Sequence, residues 1–389
     1  MIVLDKNKLD NSALTEEAEA LKNAGFIGKE QLNFIEKELP VLNSHKNILV
    51  RIGFFLLGSF LYASLCGAVS LFGLSGIDSY WKVLPFVFAA IGFVGSELLA
   101  KQGYHNHGLD DAFILGTLLN TGFAIGVLSE GENVLSIMIA VTVVSFILYL
   151  RYLHLLSALV FYFALTVTLG YAIFEFLEFG QAILPFFMLL YGVGTYYFCR
   201  KLLKDLSEPF YYSGLVLIKS ISLILFYLSG NYMVVRELSG MLSGIYYDVS
   251  PEIPLAFFFW IFTFAVPVLY LFFALKNKDR IMLWISFIAI AFSFYSFRFY
   301  HSVLPVEVAL TLGGLLLFAI AFFSIKKLKT KETGLTFKPD RISNSNDFLN
   351  AEALIIASTF GMKPEVKPAD SPMEFGGGGF SGGGSEGSF

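Results

Sequence analysis

Residues 255–275 read LAFFFWIFTFAVPVLYLFFAL, an apolar run without one charged side chain. As a helix rising 1.5 Å per residue, such a run is about 30 Å long, the hydrocarbon thickness of a bilayer. It is continuously apolar, whereas a membrane barrel strand alternates over ~10 residues, so a spanning helix is the better reading. Nine more runs of this kind are found, at 52–74, 83–100, 112–129, 134–150, 153–174, 182–199, 211–229, 281–299 and 306–325. Arg151-Tyr152 nearly fuses the fourth and fifth, so nine spans stay open beside ten.

The composition of the whole chain agrees. Of its 389 residues 56% are hydrophobic and 15% charged, with 43 Phe and 19 Tyr, and mean hydropathy is +0.68. A soluble domain is nearer half apolar and a quarter charged, so a soluble enzyme is excluded. A net charge of −4 offers no basic surface for nucleic acid. Cys66 and Cys199 lie far apart in apolar runs and read as small helix hydrophobes, not a disulfide framework.

Charge between the runs sets a topology. With the N-terminus inside, inner segments hold Lys46, Arg51, Lys101, Arg151, Arg200, Lys201, Lys204, Lys276, Lys278, Arg280, Lys326, Lys327, Lys329 and Lys331. Outer segments hold only Lys82, Arg236 and the edge residue Arg298. This positive-inside bias puts both termini in the cytoplasm and favours an even count. Ten spans divide as five plus five of inverted topology, which makes the Glu97 span and the Lys219 span equivalents. Pro185, Gly192 and Gly194 mark the sixth span for a mid-membrane break.

Residues 1–47 are charged and lack the apolar core of a signal peptide. They read as a cytosolic helical hairpin. Asn11 or Ser12 caps a first helix with Leu14, Ala18 and Leu21 on one face, and Gly25 stops it. A second helix carries Leu32, Ile35 and Leu39 and ends at Pro40. The bundle then occupies 48–326. In the outer segment 230–254, Val234, Leu238, Met241 and Ile245 share a face, as in a helix lying in the interface over the bundle. The tail, 327–389, is cytosolic. It has a short amphipathic stretch at 348–360 and is disordered from 376, where Gly dominates.

Charged groups inside spans need a reason. Lys219 lies mid-run and Glu97 near the cytoplasmic end of the second span, which makes them the candidate polar site of a transport pathway. The loop from Lys101 to Ala112 offers His105, His107, Asp110 and Asp111, either a weak divalent-metal site or an acidic cap on the third span. Arg298, His301 and Glu307 form an outer polar cluster, and His154 reads as an ordinary interface residue. No protease or nucleotide-binding signature is present, and no cofactor is implied. Ala63-x-x-x-Gly67, Gly92-x-x-Gly95 and Gly122-x-x-x-Gly126 allow close helix approach.

The segment Gly25-Phe-Ile27-Gly-Lys-Glu30-Gln31, a short helix, and then Gly53-Phe-Phe-Leu-Leu-Gly58 resembles bacterial predicted membrane proteins of unknown function. The resemblance runs from the N-terminus into the second span. The Gly/Phe/Ser tail is similar to low-complexity C-termini of bacterial membrane proteins. It implies a many-helix bundle in a bacterial cytoplasmic membrane and brings no activity or site residue.

The expectation is therefore an all-α polytopic bundle of about ten spans in contact with lipid. Its leading role is structural, sensory or assembly, with 1–47 and the tail binding a protein partner or self-associating. A secondary transporter or permease around Lys219 and Glu97 is the alternative, and an intramembrane enzyme the third reading.

Overall fold

The structure, a computed structural model, describes residues 2–301 except 24, 46, 74–79, 207, 208, 245–249 and 278. It also describes Val308, Thr311, Gly314, Leu315, Phe318, Phe322, Phe323 and Lys326, all helical. The rest of the tenth run, Glu307, Ile245 and the tail lie outside the described residues.

The described chain folds into helices: α1 (Lys6–Asn23), α2 (Lys29–Glu38), α3 (Ile48–Gly73), α4 (Tyr80–Lys101), α5 (Leu109–Leu128) and α6 (Val134–Tyr152). Then come α7 (Leu155–Phe176), α8 (Gly180–Lys204), α9 (Tyr212–Gly230), α10 (Tyr232–Leu242), α11 (Ala256–Asn277) and α12 (Arg280–Tyr300). Nine of these, α3 to α9 with α11 and α12, are long and apolar enough to cross a membrane. The protein is an all-α, multi-pass membrane protein. Among the described residues there is no strand, only an isolated bridge between Asn43 and Tyr104.

Two compact units are present. The smaller, Lys6–Leu42, is the α1–α2 hairpin. Its first helix begins at Lys6, ahead of the predicted Asn11/Ser12 cap, and both side chains have partners elsewhere. Asn11 Nδ2 donates to the Pro40 carbonyl (2.9 Å), tying α1 to the end of α2, and Ser12 Oγ donates back to the Lys8 carbonyl. Gly25, at φ +79°, turns the chain between the helices. Thr15, Ala18 and Leu32 are buried, as expected for Ala18 and Leu32, while Leu14 and Leu21 of the predicted first-helix face are exposed.

The larger unit holds the bundle. Consecutive spans pack closely as α4–α5, α6–α7, α8–α9 and α11–α12, with α3 against α5, and α9 against α7, α11 and α12. α5 and α9 are the most buried spans, at 44% of their windows, against 22% for α4 and 11% for α3. The Glu97 span is thus peripheral and the Lys219 span central, so the two do not occupy equivalent places.

Small residues set the closest crossings. A side chain at Gly92 would meet the backbone of Phe113 and Thr117, and one at Gly95 the Phe113 ring, so α4 and α5 touch nearly backbone to backbone. A side chain at Gly122 would sit tightly against Val141 of α6 (3.3 Å), one at Gly126 would make ordinary contact with Ile137, and one at Gly67 would meet nothing. The sixth span runs unbroken through Pro185, Gly192 and Gly194 as α8. Leu153, in the left-handed region at φ +56°, separates α6 from α7 and resolves the near-fusion at Arg151 into two spans.

Candidate functional site

Successive spans run in opposite directions, so α3, α5, α7, α9 and α12 begin at the end where α4, α6, α8 and α11 finish. Lys101, Arg151, Arg200, Lys201, Lys204, Lys276 and Arg280 gather there. At this basic end the polar residues named from sequence separate into three groups.

The first is centred on Asp111, in the first turn of α5. Arg51 of α3 meets it side-on, Nε to Oδ2 at 2.6 Å and Nη2 to Oδ1 at 2.9 Å. His154 Nε2 lies 3.2 Å from Oδ1. The other imidazole nitrogen, Nδ1, caps α7: it accepts the Ser157 backbone N–H (3.2 Å) and lies 2.8 Å from Ser157 Oγ. A nitrogen that accepts carries no proton, so the proton is assigned to Nε2 and points at Asp111. The order serine–histidine–aspartate is that of a hydrolase triad, yet Ser157 and His154 are both buried. The arrangement works as a helix cap extended by an ion pair, fastening α3, α5 and α7. His154 is therefore a central connector, not the ordinary interface residue expected.

The second group holds Glu97, one turn from the end of α4. Arg151 at the end of α6 binds it in bidentate fashion, Nη2 to Oε1 at 2.6 Å and Nε to Oε2 at 2.8 Å. Tyr152 donates to Oε2 at 3.0 Å, and Lys101 approaches to 3.7 Å. The third group is Lys219, whose Nζ reaches along α9 to Asp279 Oδ2 at 3.8 Å. Asp279 also caps α12 by accepting the Met282 N–H at 3.0 Å. Lys219 and Glu97 are thus not brought together; each has its own counter-charge.

The loop between α4 and α5 divides its candidate ligands. Asp110 Oδ1 accepts the backbone N–H groups of His107 and Gly108, both at 3.0 Å, and so organises the entry to α5. Asp111 is turned away to Arg51 and His154. His105 Nε2 lies 3.0 Å from Asn106 Nδ2. The His107 ring packs on His45, Phe54 and Tyr104, with centroids 4.3, 4.3 and 4.8 Å away. Burial holds both His105 and His107 below the ordinary imidazole value, for His107 with the neighbouring His45 adding to it. Among the described residues no group of three His, Cys, Asp or Glu side chains gathers where it could hold a metal.

This loop takes up the chain on one side of the hairpin, and the end of α6 takes it up on the other. Asn43 N donates to the Gly103 carbonyl (2.8 Å) and His105 N to the Asn43 carbonyl (3.2 Å). Val3 N donates to the Arg151 carbonyl (3.1 Å), and Leu4 beside it is buried.

The opposite end is assembled differently. Asn231 caps α10, donates to Tyr227 Oη (3.0 Å) and accepts from Ser296 Oγ (3.2 Å). Tyr227 Oη and Ser293 Oγ lie 2.8 Å apart, and the Tyr232 N–H donates to Thr263 Oγ1 (2.9 Å). On α10, Arg236 donates to the Ser250 carbonyl and lies 4.5 Å from the Tyr300 ring, while Tyr300 donates to Glu237. α10 buries Tyr232 and Val235 and leaves Leu238 and Met241 exposed, so the apolar face predicted from sequence points away from the bundle. Of the predicted outer cluster, the His301 ring packs on Phe297 and Trp260, and Arg298 is half-buried on α12.

Sequence reading missed Arg51, Arg151, His154 and Asp279 as partners. The available signal was that all four fall at span ends of one side. Comparison of the chain with protein-family models, curated proteins and solved structures finds no match.

Proposed function

We propose that this integral membrane protein serves a structural, sensory or assembly role, presenting the Lys6–Leu42 hairpin to a protein partner or to a second copy of itself. One observation carries this reading. The chain is clipped to the bundle on both sides of the hairpin, by Val3 at Arg151 and by Asn43 at Gly103 and His105. Each clip adjoins an ion-pair group: Arg151 holds Glu97, and the loop leads directly into Asp110 and Asp111. Rearrangement among the spans is thereby coupled to the flanks of the hairpin. The hairpin exposes Leu14, Phe26 and Phe34, the residue types that anchor protein contacts. The excess of Lys and Arg places the basic end in the cytoplasm, and we assign the protein to a bacterial cytoplasmic membrane.

Transport through Lys219 and Glu97 has less support, since both charges are neutralised in separate pairs. An intramembrane enzyme has less again. Two variants separate the readings: deletion of 6–42, and Lys219→Met. Both are first checked for membrane insertion and then tested for co-purification of a partner and for cellular phenotype. Loss of both on deletion, with Lys219→Met unaffected, is the expected result. Loss of phenotype only in Lys219→Met would overturn the reading in favour of a polar pathway.

A further inference from the structure

At the end opposite the basic one, a cleft of about 160 Å³ opens between the start of α8, the roof helix α10 and the entry to α11. Leu184, Phe186, Val235, Leu238, Ile253 and Phe259 line it. Its polar lining side chains are Gln181 and Ser239, and they are joined, Gln181 Nε2 donating to the Ser239 carbonyl (2.7 Å) and lying 3.1 Å from its hydroxyl. The remaining lining therefore makes no polar demand. An open cleft with this lining offers contact to hydrocarbon and almost no partner to water.

The position of the rim identifies the guest. Leu238 and Leu255 are exposed at 41% and 63%, as are Ile183 and Leu190 further along α8 and Phe257 and Ile261 along α11. The cleft is thus continuous with the lipid-facing surface of two spans, at the level where α10 leaves its own apolar residues outward. We propose that the cleft is a binding site for one hydrocarbon chain of a membrane phospholipid in the leaflet at this end, held beneath α10. Lipid tails are as apolar as the lining, so the driving force is contact and not escape from water. An unfilled cleft forfeits dispersion contacts along its walls, and a chain sliding in from the bilayer recovers them without a dehydration cost.

The test uses the full-length protein in nanodiscs containing a phospholipid with a mid-chain diazirine. After photolysis, labelled peptides are mapped by mass spectrometry. Enrichment at 181–186 and 235–259 over other lipid-facing segments is expected. Ala182→Phe, which places a ring in the cleft from an exposed lining position, lowers that labelling about tenfold and leaves labelling elsewhere unchanged. Phe294→Ala, on the lipid face of α12, leaves cleft labelling unchanged. Uniform labelling of the wild-type protein overturns the proposal whatever the variants do. So does labelling by a diazirine fatty acid but not by the phospholipid, or indifference to Ala182→Phe in a protein that still inserts.

Discussion

The two ends of the bundle solve one problem with different chemistry. Each must hold span termini whose last backbone groups have no partner within their own helix. The basic end uses charge: Arg51 with Asp111 and His154, Arg151 with Glu97, Lys219 with Asp279. The opposite end relies mainly on neutral hydrogen bonds and stacked rings, Asn231 with Tyr227 and Ser296, Tyr232 with Thr263 and Tyr232 on Trp260, beside the charged Arg236 and Glu237 and an exposed Lys82–Glu130 pair. Charged fastenings suit an end already crowded with cations, where each carboxylate relieves repulsion. Neutral ones suit an end with fewer charges, where Asn231, Tyr227 and Thr263 join span termini without burying an ion.

The sharpest way to break this comparison is at Asp111. Asp111→Ala leaves Arg51 without its counter-charge and the His154 Nε2–H without its acceptor, and a loss of about 3 kcal/mol is expected. Thermal unfolding followed by a thiol-reactive dye reports it, since Cys66 and Cys199 are both buried. Asn231→Leu breaks the neutral network instead. The lost cap and the two lost Asn231 hydrogen bonds, to Tyr227 Oη and from Ser296 Oγ, together cost about 2 kcal/mol in the same assay, although both hydroxyls keep carbonyl partners at Ala289 and Phe292. If it matches or exceeds Asp111→Ala, the charged end is not the stronger one.

Smaller effects sharpen the contrast within the basic end. Glu97→Gln gives up a bidentate pair with a third-exposed Arg151 and costs about 1 kcal/mol. Lys219→Met removes a longer pair and a charge from a span, so stability stays within ~0.5 kcal/mol of wild type. The smallest effect is that of pH on the loop. His105 and His107 titrate below their ordinary 6.5 in the folded protein. As pH falls through 6.5 the unfolded state therefore takes up protons that the folded loop refuses, and stability falls with it. The groups facing them are His45, Asp110, Asp111, His154 and Arg51. Protection of the Asn43, His45 and His105 amides, each rate taken relative to the intrinsic exchange rate at that pH, is expected to fall below this pH, while protection in α9 holds.

The spans were legible because twenty apolar residues in a row have few other fates. The faces were not. Val234, Leu238 and Met241 of α10 form an apolar stripe, and a soluble helix would turn such a stripe inward. In a bilayer the outside is as apolar as the inside, so the pattern does not say which way it points. The bundle chose Tyr232 and Val235, whose neighbours Thr263 and Ile253 fit them. Partners of the charges were hidden for another reason. Arg51 and Asp111 are 60 residues apart, and only the packing of α3 against α5 joins them. Glu97 and Lys219 stood out as isolated charges, but their fates depended on Arg151 and Asp279, each assigned beforehand to a loop.

The reach of Lys219 to Asp279 also bears on biosynthesis. Lys219 leaves the ribosome well before Asp279, which follows in the loop between α11 and α12. At 5–20 residues per second the interval is roughly 3–12 s. During it α9, destined for the centre of the bundle, is in place before α11 and α12 arrive to enclose it. Lys219 lies two turns inside α9, about 10 Å from its end, and its stem is long enough to keep the ammonium at the lipid headgroups meanwhile. A shorter cation there would have no such waiting position, so the length of the lysine side chain, as much as its charge, lets this helix be made in the order in which it is encoded.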